Sequence, residues 1–158
     1  MGYFKEPEKS EELWLGGWLH TGDVATLDGM GYIDIRDRIK DVIKTGGEWI
    51  SSLDLEDLVS RHPAVREVAV VGVADPQWGE RPFALLVVRE GQVIDAKALK
   101  EHLKPFVEQG HINKWAIPSQ IAVVTEIPKT SVGKLDKKRI RQDIVQWQAS
   151  NSAFLSTL

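Results

Sequence analysis

Two long apolar runs in the middle of the chain place the strongest constraint on its fold. Val65 to Ala74 reads Val-Arg-Glu-Val-Ala-Val-Val-Gly-Val-Ala, and Pro82 to Arg89 is a second run of this kind. Such β-branched and apolar content is typical of strands buried in a sheet. The loop between them carries Pro76, Trp78 and Gly79, and its length favours antiparallel pairing. We therefore expect an antiparallel pair of strands at the centre of the molecule.

The segments on either side of this pair predict helices. Ser51 and Asp54 have the spacing of a capping box, and the helix that they begin ends at Pro63. Asp95 is a candidate cap for a second helix, which Pro105 should kink or end. The apolar face of the first helix would consist of Leu53, Leu55, Leu58 and Val59.

Shorter segments complete the pattern. Val42 to Lys44 is a short strand candidate that stops at the glycine pair, and Gln120 to Thr125 is a third strand candidate. Asp136 to Gln148 predicts a final helix, whose buried side would be Ile140, Ile144, Val145 and Trp147. The order β-α-β-β-α-β-α indicates an α+β fold, with a small, mainly antiparallel sheet flanked by helices.

The region before this domain predicts a short β-hairpin. Val24 to Asp28 and Tyr32 to Arg36 flank Gly29-Met30-Gly31, where glycine can supply the turn. Residues Met1 to Gly17 are charged and irregular, and a start in mid-pattern suggests a piece of something longer. Such a hairpin has too little surface to bury on its own.

Composition excludes several classes of function. The 158 residues suit one small domain plus a fragment of another. A net charge of −3 gives no basic field for nucleic acid, and the absence of cysteine excludes disulfides and thiolate metal sites. No apolar run approaches the roughly 20 residues that span a bilayer, so we expect a cytoplasmic protein. The four histidines lie far apart in sequence, which gives no support for a zinc site.

Two segments could carry chemistry. Arg36 to Ser52 is a charged connector that leads into Gly46-Gly47, a pattern that predicts a hinge with a flexible loop. Pro128 to Lys134 places a lysine beside a glycine, but Pro128 and Leu135 do not fit a Walker motif. What remains is an ammonium on a long stem, suited to a developing negative charge or simply to solvent.

Three blocks of the chain resemble the adenylate-forming acyl-CoA synthetases, the superfamily that includes luciferases and peptide-synthetase adenylation domains. Gly17 to Asp23 is similar to the family block W-x-x-T-G-D. Asp37 to Ile50 is similar to the family hinge and glycine loop, and Pro128 to Lys134 matches P-x-T-x-x-G-K. The blocks occur in the order and spacing of the family, and together they make a specific signature.

The resemblance implies roles for individual residues. Asp23 would hold the ribose hydroxyls of ATP, and Arg38 would contact the ribose or a phosphate. Lys40 matches the hinge position. Gly47, beside Gly46, falls in the loop that lines the pantetheine tunnel of CoA. Lys134 would bridge the substrate carboxylate and the α-phosphate during formation of the acyl-adenylate.

The resemblance also implies an organisation and a substrate class. Residues 1–38 would end a large N-terminal adenylation domain, residues 39–148 would form the mobile C-terminal domain, and residues 149–158 a tail. ATP, CoA and Mg²⁺ would be bound mainly by the N-terminal domain, which is the main partner expected beside the carboxylic acid. Trp49, in Gly-Gly-Glu-Trp-Ile-Ser, is similar to medium- and long-chain fatty acid–CoA ligases, although it could simply pack between loop and helix. His20 stands at a position where many members of the family carry Arg or Lys. The piece alone should be inactive.

Two alternatives stay open. An adenylate-forming enzyme could hand the acyl group to a carrier protein instead of CoA. In a different class, a non-catalytic module could bind an acidic partner or nucleic acid through a basic last helix, formed by Lys134, Lys137, Lys138, Arg139 and Arg141.

Overall fold

The computed structural model of the chain describes residues 2–150 together with residues 153 and 154. The chain divides into two compact units, Met1–Lys40 and Asp41–Leu158. The sequence predicts a boundary two residues earlier, and the assignment of the first unit to the end of a larger domain stays a prediction. In the described part of the chain, no helix combines the length and the apolar character needed to cross a membrane.

The described part of the first unit contains one α-helix, a short 3-10 helix (Leu15–Gly17) and one hairpin. Helix α1 is Pro7–Leu13, and strands β1 (Asp23–Leu27) and β2 (Ile33–Arg38) pair antiparallel, which confirms the predicted hairpin. The Oδ1 atom of Asp28 accepts hydrogen bonds from the backbone N–H groups of Met30 and Tyr32 and so fixes the turn. Helix α1 is absent from the prediction because none of its residues is buried, so it shows no apolar period.

The second unit holds the main sheet and the remaining helices. In chain order its elements are β3 (Ile43–Thr45), β4 (Glu48–Ile50), α2 (Ser52–Ser60), β5 (Val65–Asp75), β6 (Gly79–Val88), α3 (Ala96–Glu108), β7 (Gln120–Val123), α4 (Lys137–Gln142), α5 (Ile144–Ser150) and β8 (Ala153–Phe154).

The sheet is built around β6. Strands β5 and β6 pair antiparallel from Val65 opposite Val88 to Asp75 opposite Gly79, as the two apolar runs predict. Strand β7 is parallel to β6, whereas β3 pairs antiparallel with both β4 and β6, and β8 with β7. The α+β fold with a small, mainly antiparallel sheet is therefore confirmed, with one parallel neighbour.

The sheet is covered on both faces. Successive residues of β5 and β6 point to opposite sides, so that Val70 and Leu86 join one core cluster and Val71 and Leu85 join the other. The first cluster packs against α2 and α3, and the second packs against α4 through Ile140. Burial on both faces explains why the two runs are continuously apolar instead of alternating.

The helices differ from the sequence pattern at two points and agree with it at a third. Pro105 does not end α3, which continues to Glu108, because burial of Leu99 and Leu103 offsets the single backbone donor that proline lacks; a kink at Pro105 stays a prediction. The predicted last helix is two helices that break at Asp143, and Val145 is exposed. The capping box is confirmed, since the hydroxyl of Ser51 accepts from the backbone N–H of Asp54 at 3.1 Å.

Candidate functional site

Asp23 and Arg38 face each other across the hairpin. They are register partners in β1 and β2, and the Arg38 Nε atom lies 3.4 Å from the Asp23 carboxylate. The neighbouring Asp37 is buried, and its carboxylate accepts from the backbone N–H of Arg38 at 2.7 Å. The Arg38 side chain remains 58% exposed. The fold thus brings together two of the residues expected to contact a nucleotide and leaves the guanidinium accessible.

Gly46 and Gly47 form a tight turn and not the flexible loop that the sequence suggests. Strands β3 and β4 pair directly across them, with Thr45 opposite Glu48. Both glycines have positive φ, 57° and 86°, as a two-residue hairpin turn of type I′ requires. The strand after the turn, Glu48–Ile50, is missing from the prediction because Glu48 and Trp49 are both exposed, so it lacks the alternation that β3 shows.

The two glycines have different surroundings. A Cβ atom on Gly46 would lie 3.1 Å from the ring of Trp78, whose carbonyl accepts from the Gly46 N–H at 2.9 Å. A Cβ atom on Gly47 would meet nothing within 4 Å. Gly46 is therefore required by the protein's own packing, whereas the space beside Gly47 is open to a ligand.

Two tryptophans behind the turn are residues that the sequence does not single out as site residues. The rings of Trp78 and Trp115 lie 4.4 Å apart, and the Arg81 guanidinium lies 5.7 Å from the Trp115 ring. Trp78 is visible in the sequence only as part of the loop between β5 and β6. Its contact with Gly46 joins distant parts of the chain, so no local pattern could reveal it.

Trp49 lies on the surface beside this turn. It is 58% exposed, and the ammonium of Lys44, its partner in the opposite strand, lies 5.3 Å from the ring centroid. An exposed ring does not fit the alternative in which Trp49 simply packs between loop and helix. Trp49 also borders an open cleft of about 210 Å³ between the start of α2 and the segment after α3, lined further by Ser51, Asp54 and residues 110–113.

Lys134 lies on a separate loop that is closed by its own hydrogen bonds. The Thr130 N–H donates to the Lys134 carbonyl at 2.7 Å, and the Asp136 N–H donates to the Pro128 carbonyl at 2.8 Å. Gly133 has a φ of 79°, and its N–H donates to the Thr130 carbonyl. Lys134 is exposed, and within the described residues its ammonium has no hydrogen bond or ion pair. The loop therefore presents an unpaired cation on a fixed backbone.

The helix after this loop does not have the uniform basic face of the interaction-module alternative. Lys137 is buried and paired with Glu56, and Arg141 is paired with Asp41. The Arg139 Nε atom lies 3.6 Å from the carboxylate of Asp143, the residue that follows this helix. Because internal acids satisfy these cations, the helix is a poor surface for an acidic partner, and that alternative is not favoured.

The described residues contain no group of three or more His, Cys, Asp or Glu side chains that could hold a metal ion. The fold does bring together two of the histidines, since the rings of His62 and His102 lie 5.0 Å apart. Burial lowers the pKa of His62 below its ordinary value of 6.5, and the nearby charge of His102 lowers it further.

An α+β domain with an exposed lysine on a closed loop and a two-glycine hairpin has the features of the C-terminal domain of adenylate-forming enzymes. Residues 54–134 match the family model described as AMP-binding enzyme C-terminal domain. The chain belongs to this family.

Curated relatives support the same class. The chain is 44% identical over 135 residues to a 3-methylmercaptopropionyl-CoA ligase of Ruegeria lacuscaerulensis, covering 85% of this chain and 24% of that protein. It is 43% identical over 142 residues to a long-chain-fatty-acid–CoA ligase of Thermus thermophilus, covering 89% of this chain and 25% of that protein. The chain thus spans about a quarter of the length of the curated relatives that it matches.

Solved structures share the fold. An o-succinylbenzoate CoA synthetase from Bacillus subtilis, in complex with its acyl-adenylate intermediate, has a TM-score of 0.77 and 32% identity over 90% of this chain and 27% of that one. An amide bond synthetase from Marinactinospora thermotolerans has a TM-score of 0.76 and 36% identity, covering 90% of this chain and 28% of that one.

Proposed function

We propose that this chain is the mobile C-terminal domain of an AMP-forming fatty acid–CoA ligase, with the last hairpin of the preceding adenylation domain attached. The reaction has two halves. In the first, the carboxylate attacks the α-phosphate of ATP and releases pyrophosphate, which leaves an acyl-adenylate. In the second, the thiol of CoA attacks the acyl carbon and releases AMP. Both halves need the N-terminal domain, so the chain by itself is inactive.

The observation that carries this proposal is the unpaired ammonium of Lys134 on its closed loop. Negative charge builds up on the carboxylate and phosphate oxygens as they approach each other. A cation that no neighbouring acid neutralises can stabilise that charge, and the closed backbone loop lowers the cost of orienting it. The exposed position lets Lys134 reach an active site that another domain supplies.

Asp23 and Arg38 suit the nucleotide. A carboxylate can accept hydrogen bonds from both hydroxyls of a ribose, and the adjacent guanidinium can donate to a ribose oxygen or a phosphate. Their 3.4 Å contact holds the two groups in one orientation at the surface of the hairpin. We assign both residues to the ribose side of ATP.

The glycine hairpin suits the thiol substrate. The open space beside Gly47 permits the narrow pantetheine chain of CoA to approach the backbone. Trp49 and Lys44 offer an exposed ring and a cation nearby. Lys40 is the last residue of the first unit. Rotation about it between the two half-reactions would move the Lys134 loop out of the active site and bring this hairpin in.

Magnesium would be held by the triphosphate of ATP and by the N-terminal domain, because the described residues provide no acidic cluster for it. When bound, it neutralises phosphate charge. For the acid, the sequence around Trp49 and the similarity to a long-chain-fatty-acid–CoA ligase favour a medium- or long-chain fatty acid.

Replacement of Lys134 tests the proposal. In the complete protein, we expect Lys134→Ala to lower the rate of carboxylate-dependent pyrophosphate exchange about 100-fold or more, because it removes a group that stabilises the transition state. The rate of AMP release from supplied acyl-adenylate and CoA should stay within about threefold of that of the unchanged protein, because Lys134 takes no part in that step.

Lys138→Ala is the matched control, since Lys138 is an exposed lysine of α4. It should leave both half-reactions unchanged. Equal loss of the two half-reactions in Lys134→Ala would contradict the assigned role. Release of AMP with a carrier protein but not with CoA would instead identify the carrier-dependent alternative.

A further inference from the structure

A buried ion pair joins three elements next to the Lys134 loop. The ammonium of Lys137 lies 2.8 Å from the carboxylate of Glu56 and 2.8 Å from the hydroxyl of Ser52. The same Glu56 oxygen accepts from the backbone N–H of Val70 at 2.8 Å. The side chains of Lys137 and Glu56 are only 10% and 11% exposed. The contact therefore ties the first turn of α4 to α2 and to β5.

Stability alone is a weak reason for such a pair. Removing two charges from water is costly, and apolar side chains of similar volume often serve stability as well or better. What the charges add is direction, because hydrogen bonds fix both the rotation and the axial position of a helix. Ile140 and the Arg141–Asp41 pair hold the later part of α4, and without the Lys137–Glu56 pair the first turn would be free to make small shifts along the sheet.

The pair stands close to the lysine on which the proposed reaction depends. Lys137 lies in the first turn of α4, directly after Asp136, which caps that helix by accepting from the Arg139 N–H. Asp136 also closes the Lys134 loop through its hydrogen bond to Pro128. A shift of the first turn would thus move the loop with it.

We propose that the Lys137–Glu56 pair, with Ser52, is a positioning device that fixes where Lys134 stands. Lys137 touches no substrate and acts through the loop. The proposal rests on the proposed function of Lys134, since a fixed position matters only if that ammonium meets the reacting atoms. A displacement of about 1 Å can cost about 100-fold in rate.

The test replaces the pair by neutral groups of similar shape. Glu56→Gln with Lys137→Met keeps an acceptor for Val70 and leaves no unpaired buried charge. In the complete protein, the double variant should slow pyrophosphate exchange about 10- to 100-fold, while AMP release from supplied acyl-adenylate and CoA stays within about threefold. Lys138→Met, next to Lys137 but exposed, should change neither step.

A double-mutant cycle separates positioning from general damage. If the pair acts only through Lys134, adding the double variant to Lys134→Ala should cause no more than about a twofold further loss. An equal fold-loss in both backgrounds, or parallel loss of both half-reactions, would overturn the positioning role. If the double variant does not fold, Ser52→Ala is the second variant, which keeps both charges and should give a smaller change of the same kind.

Hydrogen exchange on this chain gives a readout that does not depend on ligase activity. The amides of Thr130, Gly133 and Asp136 should exchange about tenfold faster in the double variant than in the unchanged chain or in Lys138→Met. Unchanged exchange would count against the proposal. If exchange is faster but the Lys134→Ala variant still forms adenylate normally, the Lys137–Glu56 pair does fix the loop, and the proposed function of Lys134 is rejected.

Discussion

Gly46 and Gly47 are glycine for two different reasons. Both residues occupy a region of φ that side chains other than glycine adopt only with strain. At Gly46 the nearby ring of Trp78 adds a steric reason, so that packing alone explains this glycine. At Gly47 the neighbouring space is open, and its backbone angle is the sole internal reason for glycine. A functional role for Gly47 must therefore be separated from its conformational role.

Gly47→Ala and Gly91→Ala make that separation. Gly91 also has positive φ, 71°, and a Cβ atom there would likewise meet nothing within 4 Å, but this residue lies in the loop after β6. Each variant should lower the free energy of unfolding by about 1 kcal/mol, measured with urea. In the complete protein, only Gly47→Ala should slow the reaction of CoA with supplied acyl-adenylate, because its methyl group enters the space assigned to pantetheine.

Equal effects of the two variants on the CoA step would show that Gly47 is glycine for the sake of the turn alone. Gly46→Ala should destabilise the chain more than either, since the added carbon must also displace the Trp78 ring. That third variant checks that the unfolding assay resolves steric strain from backbone strain.

At the scale of secondary structure, the apolar runs that become β5 and β6 predict the centre of the sheet because burial on both faces leaves a continuous signal. The capping of α2 by Ser51 is equally predictable, since a cap depends on residues close in sequence. Strand β4 and the break at Asp143 are not, because β4 buries only Ile50 and so shows no alternation, and because the apolar pattern continues across Asp143 without interruption.

The site shows the same limit. Motifs indicate Asp23, Arg38 and Lys134 as candidate site residues, but they do not reveal the buried pair of Glu56 and Lys137 beside the Lys134 loop. The sequence pattern predicts that Leu53 lies on the buried face of α2. In the structure Leu53 is 45% exposed, whereas Glu56 of the same helix is buried. Charged residues are almost never fully buried unless they are paired, and the partner of Glu56 is in α4, far along the chain. No pattern on one helix could reveal a pair between two helices.

The free energy of unfolding should depend on pH through His62, at the point where the end of α2 meets α3. His62 follows α2, its Nδ1 atom accepts from the Ala64 N–H, and its ring meets that of His102 in α3. Because the pKa of His62 is lowered in the folded chain, the unfolded chain binds a proton more readily. The free energy of unfolding should therefore decrease as pH falls below about 6.5, the ordinary pKa, and should not depend on His62 above it.

His62→Asn is the control, because the Asn side-chain oxygen can still accept from Ala64 while it cannot titrate. Urea unfolding between about pH 5 and pH 8 should show a smaller loss at the acid end for the variant than for the unchanged chain, a range chosen around the ordinary histidine pKa. Identical pH profiles would mean that His62 titrates alike in the folded and unfolded states.

On the scale of the whole molecule, the two units differ in how they use apolar residues. Every buried hydrophobic side chain of the described residues lies at or beyond Val42. The first unit instead exposes large apolar side chains on its hairpin and around α1, among them Phe4, Trp18, Leu27, Met30, Tyr32, Ile33 and Ile35. This distribution supports the proposal that residues 1–38 complete a larger domain, because a hairpin without a covered face is marginal in water.

Truncation at the boundary between the units tests this difference. Residues 41–158 should unfold cooperatively in urea with a midpoint close to that of the whole chain, because they contain every buried hydrophobic side chain of the described residues. Residues 1–40 alone should show no cooperative transition, since their described part buries no hydrophobic residue. A start at residue 46 is the matched control: it removes the buried Ile43 and the Asp41 partner of Arg141, and it should lower the midpoint. Loss of cooperative unfolding in 41–158 would show that the second unit needs the first, and a rigid-body rotation about Lys40 would then have no structural basis.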